Sequence, residues 1–176
     1  MFGIRSEQAK LAGDVLNKMN QGNYYDVCHQ ANDSMFQSIL ARLKGTVDYQ
    51  SASLYLMNRE KQQMISVAEQ GDGINLINAI NFPMGFGLSA WIAEKKRVIH
   101  LPDIHKGTRH GHNPIRSFVA VPIIYNDEVI GVLNLAHIKP NAFGPAEVKK
   151  LQYLAQAIAM RMNDFTIAFY TREEKA

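Results

Sequence analysis

The stretch from Ser117 to Ala136 constrains the fold most. Ser117 to Tyr125 and Val129 to Ala136 are β-rich runs separated by Asn126-Asp127-Glu128, a turn signal that folds them back on each other as an antiparallel hairpin. Both strands are expected to be central in a sheet. Upstream, Ser51 to Met57 alternates Ala52, Leu54 and Leu56 against Ser53, Tyr55 and Met57, and an extended pattern resumes at Met64 to Glu69 after the polar turn Asn58-Arg59-Glu60-Lys61. That alternation predicts a first hairpin. A short strand is expected at Val98 to His100.

Helical periodicity brackets the strands. Ile4, Leu11, Val15 and Met19 recur at helical spacing until Gln21-Gly22-Asn23 interrupts them, which predicts a short first helix. From Tyr24 to Leu43, the residues Val27, Ala31, Met35, Ile39 and Leu43 form a second stripe, with Phe36 and Leu40 beside it, that stops at Lys44-Gly45 as a C-cap would. After Pro83-Met84-Gly85-Phe86-Gly87, where backbone can approach another group closely, Leu88, Trp91 and Ile92 suggest a short amphipathic helix through Glu94. The last helix has the clearest start. Gly144 stands at the N-cap, Pro145 at the first helical position and Glu147 at the third, with Phe143 placed to staple onto Val148. Its stripe of Val148, Leu151, Ala155, Ile158, Met162 and Phe165 is longer than one face of a small sheet needs, and the surplus is suited to pairing with another subunit. The organisation expected is a helical extension over 1–22, a domain over 23–168 and a tail over 169–176. Helices on one face of an antiparallel sheet make it α+β.

Composition narrows the function classes. With 47% apolar and 20% charged residues in 176, the chain can bury one sizeable core. Nineteen Lys and Arg against sixteen Asp and Glu give +3, interspersed except for Glu94-Lys95-Lys96-Arg97, so no basic stripe for nucleic acid exists. Cys28 is the lone cysteine, which excludes an internal disulfide, a CxxC redox pair and a cysteine-based zinc site. No apolar run follows a basic start, and nowhere do about 18 apolar residues run uninterrupted. A cytoplasmic protein that neither crosses nor enters a membrane is expected.

Several stretches together resemble successive blocks of a GAF domain, in order and in spacing. They are Gly85-Phe86-Gly87-Leu88-Ser89-Ala90-Trp91-Ile92-Ala93, Val98-Ile99 with Pro102-Asp103-Ile104, Arg116-Ser117-Phe118-Val119-Ala120-Val121-Pro122-Ile123, and Ile130-Gly131-Val132-Leu133-Asn134-Leu135. The resemblance covers Tyr24 to Arg161. It implies an antiparallel sheet of six strands or so, the first and last helices on one face and a small-ligand pocket between the other face and its crossover loops. It also implies a sensory or regulatory role in signal transduction and dimerisation through the terminal helices, in keeping with the surplus apolar stripe. A signal would then pass through a homodimer or to a separate protein such as a sensor kinase or cyclase.

The ligand is expected between the sheet and the loops from Pro83 to Arg116. The residues placed to meet it are Phe86, Leu88 and Trp91 from the Gly-rich loop and its helix, then Asp103, His105 and His112. Arg116, Ser117, Phe118 and Val119 follow from the next strand. Several readings stand side by side. Asp103, His105, His110 and His112 are suitable metal ligands, or simply residues of a polar loop. His112-Asn113-Pro114-Ile115-Arg116 resembles the His-Pro-Pro-Met-Arg stretch of haem-containing GAF sensor kinases, whose histidine is the axial ligand, although Asn113 replaces a proline. Trp91 either walls the pocket or anchors the core. The N–H groups near Gly87, Leu88 and Ser89 suit an anion. Asp103 and Arg116 either meet ligand or pair with each other to fasten the loop.

Other chemistry fits less well. The Asn-Lys, Phe and Asp-Glu signature of cyclic-nucleotide-binding members survives only as Asn134, Phe143 and Glu147, with Leu135 in place of the lysine. Members that reduce free methionine sulfoxide use one cysteine to attack and another to resolve, and Cys28 has no such partner. Ser117, His112 and Asp103 supply the residue types of a hydrolase triad without a nucleophile elbow. A non-enzymatic protein is therefore expected. An alternative is a ligand-free interaction domain whose pocket is filled by Phe86, Trp91 and Phe118.

Overall fold

The computed structural model describes residues 33–58, 63–71, 91–92, 95–104 and 115–173, with side chains through Met162. Helix α1 (Asp33–Lys44) comes first, followed by strands β1 (Ser51–Asn58), β2 (Gln63–Gly71), β3 (Ile99–Leu101), β4 (Ser117–Tyr125) and β5 (Glu128–His137), and then the 29-residue helix α2 (Pro145–Glu173). All pairings are antiparallel, in the order β2-β1-β5-β4-β3. The sheet has five strands among the described residues, where the sequence suggests about six. Both strands of the second hairpin are interior, as their unbroken apolar runs require. The first expected helix and the upstream part of the second lie outside the described residues.

Local chemistry accounts for the junctions. Asn126 and Asp127 take φ values of 47° and 63°, so the β4–β5 connection is a two-residue turn with both central residues left-handed, a twist that matches the strands it joins. Gly144 caps α2 as the sequence predicts: its carbonyl accepts the Val148 N–H at 3.0 Å, and its own N–H donates to Glu147 Oε2 at 3.1 Å. Phe143 is buried, and Val148 packs on the cluster that contains it, completing the staple. Helix α2 continues through Glu173, past the expected domain limit at residue 168.

One face of the sheet carries both helices. Helix α1 packs on β1 and β2, and α2 on β4 and β5. Phe36, Leu40 and Leu43 of α1 meet Ala52, Leu54 and Leu56 of β1, while Leu151, Ala155, Ile158 and Met162 of α2 cover the same core with Val119, Val121 and Leu133. The spacing of four, three and four along α2 keeps those side chains on one stripe. Tyr49, 1% exposed, closes the end of this core, donating its hydroxyl hydrogen to Leu40 O at 2.7 Å and lying in hydrogen-bond contact with the Gln70 side chain. At Gly131, a Cβ would come within 2.5 Å of Tyr55 O and 2.9 Å of Leu56 Cδ2. Only glycine lets β5 lie so close to β1 there.

Candidate ligand-binding face of the sheet

The alternation that sends Ala52, Leu54 and Leu56 toward the helices sends Ser51, Ser53 and Tyr55 to the other face. The register extends that face across the sheet in rows. Glu69, Ser53, Asn134, Ala120 and Ile99 stand opposite one another on β2, β1, β5, β4 and β3. A flanking row runs Gly71, Ser51, Ala136, Phe118 and Leu101, and a second runs Ser66, Tyr55, Val132 and Pro122. The face is therefore divided. Its β2–β1 side offers hydroxyls and a carboxylate, its β4–β3 side is apolar, and Asn134 stands at the boundary. Ile92, Ile115, Phe118, Ala120, Val132 and Ala136 form a second buried cluster here, separate from the core under the helices.

Three residues of the polar half are buried and short of partners. Ser51, Ser53 and Asn134 are 4%, 6% and 1% exposed. Among the described residues, Ser51 Oγ, Ser53 Oγ and both side-chain atoms of Asn134 have no hydrogen-bond partner. Leaving a buried amide unpaired costs roughly 1–3 kcal/mol. Beside them the Ser66 hydroxyl donates to Glu69 Oε1 at 2.8 Å. Burial raises the Tyr55 pKa above its usual value and the Glu69 carboxylate adds to the rise, while the Ser53 and Ser66 hydroxyls nearby oppose it. No residue that the register places on this face is basic.

The expected site residues divide. Phe118 lies on this face, in the second cluster. Val119 does not: it faces the helices, in the main core, because adjacent strand residues point to opposite sides. Ser117 also turns away, with its hydroxyl donating to Lys139 O at 2.8 Å. Trp91 is no core anchor, since it is 37% exposed and its neighbour Ile92 is the buried residue of that turn. Asp103 and Arg116 pair with each other: Nε and Nη2 of Arg116 both donate to Asp103 Oδ1, at 2.9 and 2.7 Å. The Ile104 N–H donates to Arg116 O at 2.7 Å, so two links clasp the β3 exit to the β4 entrance. Phe86, Leu88, His105, His110 and His112 lie outside the described residues, so neither the haem reading nor the metal reading gains a ligand here. Ser51, Ser53, Tyr55 and Asn134 were not singled out as lining by the sequence. The signal was present in the alternation of β1, whose off-core positions carry two serines and a tyrosine.

His137, 4% exposed, sits at the sheet end. Its Nδ1 accepts the Lys139 N–H at 2.9 Å, and its Nε2 lies 3.4 Å from Asp48 Oδ2. The accepting Nδ1 assigns the proton to Nε2. The ring thus fastens the β5 exit to the β1 entrance.

A family model for the GAF domain matches residues 30–163, and the chain belongs to that family. The five-stranded antiparallel sheet with two helices on one face is the GAF fold. No curated protein matches the chain. Among solved structures, a domain assigned to a two-component sensor histidine kinase protein from Sinorhizobium meliloti 1021 aligns with a TM-score of 0.64 at 19% identity, covering 81% of this chain and 98% of that one. The GAF domain of an Acinetobacter phosphoenolpyruvate-protein phosphotransferase aligns at 0.58 and 16% identity, over 97% and 98% of the two chains. A type II free methionine-R-sulfoxide reductase from Thermoplasma acidophilum aligns at 0.59 and 20% identity, over 75% and 92%. At these identities the likeness is one of fold.

Proposed function

We propose that this GAF domain is a cytoplasmic sensory and regulatory module that holds a small molecule against the face of its sheet opposite α1 and α2. The observation that carries the reading is the group of buried, unpartnered polar atoms on Ser51, Ser53 and Asn134, set beside a buried apolar cluster that contains Phe118, Ala120 and Ala136. A few polar groups fixed within an apolar concavity orient and discriminate a ligand. The similarity in fold to domains of a sensor kinase and a phosphotransferase supports a regulatory role. Catalysis is not part of the proposal. The single cysteine, Cys28, leaves the attack-and-resolve chemistry of reductase members without its second thiol.

The output is proposed to run through a homodimer to a separate signalling protein such as a sensor kinase or cyclase. Tyr153 and Met160 are both 62% exposed on α2. A groove of about 490 Å³ lies between α1 and α2, lined by Met35, Ile39, Leu154 and Ile158 with Arg42 and Arg161 at its polar positions. A second copy seated there would link the helices directly to the sheet that binds ligand.

Thermal melting tests the ligand reading. Protein as purified is compared with protein unfolded, dialysed and refolded, which releases any bound small molecule. A molecule that binds only the folded state raises Tm by mass action, so the stripped sample is expected to melt lower and to recover when the dialysed fraction is returned. Identical melting of both, with no response to the fraction, would contradict the reading.

A further inference from the structure

We propose that the guest on this face is a neutral molecule with a cis-amide edge, an N–H and a C=O on adjacent atoms as in a lactam or imide ring, and that Asn134 reads that edge. The inference rests on the sensory reading above and specifies its ligand class. Asn134 is central in β5 and 1% exposed, and neither its Oδ1 nor its Nδ2 has a partner among the described residues. A side-chain amide offers one acceptor and one donor group side by side. Both are filled at once by a group that offers a donor and an acceptor with the same spacing, which is what a cis-amide provides.

The surroundings limit the alternatives. Across the sheet from Asn134 stand Ser53 on one side and Ala120 on the other, with Ala136 two residues along its own strand. Toward β4 the amide is bordered by the small side chains of Ala120 and Ala136, and Phe118, opposite Ala136, offers a ring an aromatic neighbour. Toward β1, the free Ser51 and Ser53 hydroxyls can bond further polar atoms on the ring. A carboxylate or phosphate guest would want a cation. None of the residues in register on this face is basic, Arg116 is engaged with Asp103, and Glu69 lies in the same row as Asn134. The described residues of this face therefore favour an uncharged guest.

The test uses the full chain labelled with ¹⁵N and two probes of nearly equal size, 2-piperidone and N-methyl-2-piperidone. The side-chain NH₂ pair of Asn134 is identified by its loss in Asn134→Leu. The expected result is a saturable shift of that pair with 2-piperidone, and an affinity for the N-methyl compound weaker by about tenfold or more, because the methyl group removes the donor. Asn134→Leu should abolish the discrimination, and Ser53→Ala should retain it. No shift with 2-piperidone, or equal response to the two lactams, overturns the inference. If refolded protein still regains its Tm from the dialysed fraction while the Asn134 pair stays unmoved by that fraction, the cis-amide assignment fails and the sensory reading survives. Should the fraction have no effect on Tm either, both fail together.

Discussion

At Asn134 the accounting is local. An amide shut away from water with both atoms unpaired destabilises the free protein by roughly 1–3 kcal/mol, and leucine keeps the same branched outline with no polar atom to satisfy. In ligand-free protein, Asn134→Leu is therefore expected to raise Tm by about 2–4 °C for each kcal/mol recovered. A lower Tm would mean that the amide is already satisfied. Gly131 behaves in the opposite sense. Gly131→Ala drives a methyl group toward Tyr55 O and should cost about 1–3 kcal/mol, measured by urea unfolding. The tyrosines give a pH dependence. Burial raises the pKa of Tyr49 and Tyr55. A folded-state pKa above the unfolded value means that the stability is fully present below pH of about 10 and is lost as pH climbs through the folded value. An ultraviolet titration compared with those of Tyr49→Phe and Tyr55→Phe should find that both tyrosines ionise late, together with loss of the fold.

Among the elements, those with strong local signals were legible in the sequence. The capping box at Gly144 and Glu147, the turn at Asn126-Asp127 and the alternation of β1 each depend on residues within a few positions of one another, and each takes the expected form. What the sequence left open is tertiary. Alternation divides β4 into two sets, but only the packing of α2 decides that Val119 lies beneath a helix and Phe118 faces the other way. For the same reason the sequence leaves Trp91, apolar and at helical spacing, open between pocket wall and core anchor, and the structure excludes the anchor by turning it outward. The clasp was legible as a pair and undecided as to role. With side chains 36% and 28% exposed, the Arg116 and Asp103 bridge contributes little global stability, about 1 kcal/mol or less. Its effect belongs to the segment it closes. Arg116→Ala is expected to speed amide exchange at residues 99–104 with little change in Tm, and a loss of several degrees would give the bridge a larger structural part.

For the whole molecule, the two faces of one sheet divide the work. Helices bury one face, and polar and apolar side chains share the other, so a guest on the second face acts on the helices only through the strands between them. Ligand that reorders the face opposite α1 and α2 would bias the packing of those helices. Exchange in α2 is expected to slow on ligand binding, and unchanged exchange at saturation would separate binding from output.

The most direct measurement is native mass spectrometry of the purified protein, set against the mass of the denatured chain. The account predicts additional mass corresponding to one small neutral molecule per chain, lost on denaturation and reduced in Asn134→Leu. Bare chain in wild-type protein, unaltered by added lactam, would contradict the claim that the face opposite α1 and α2 is a ligand site.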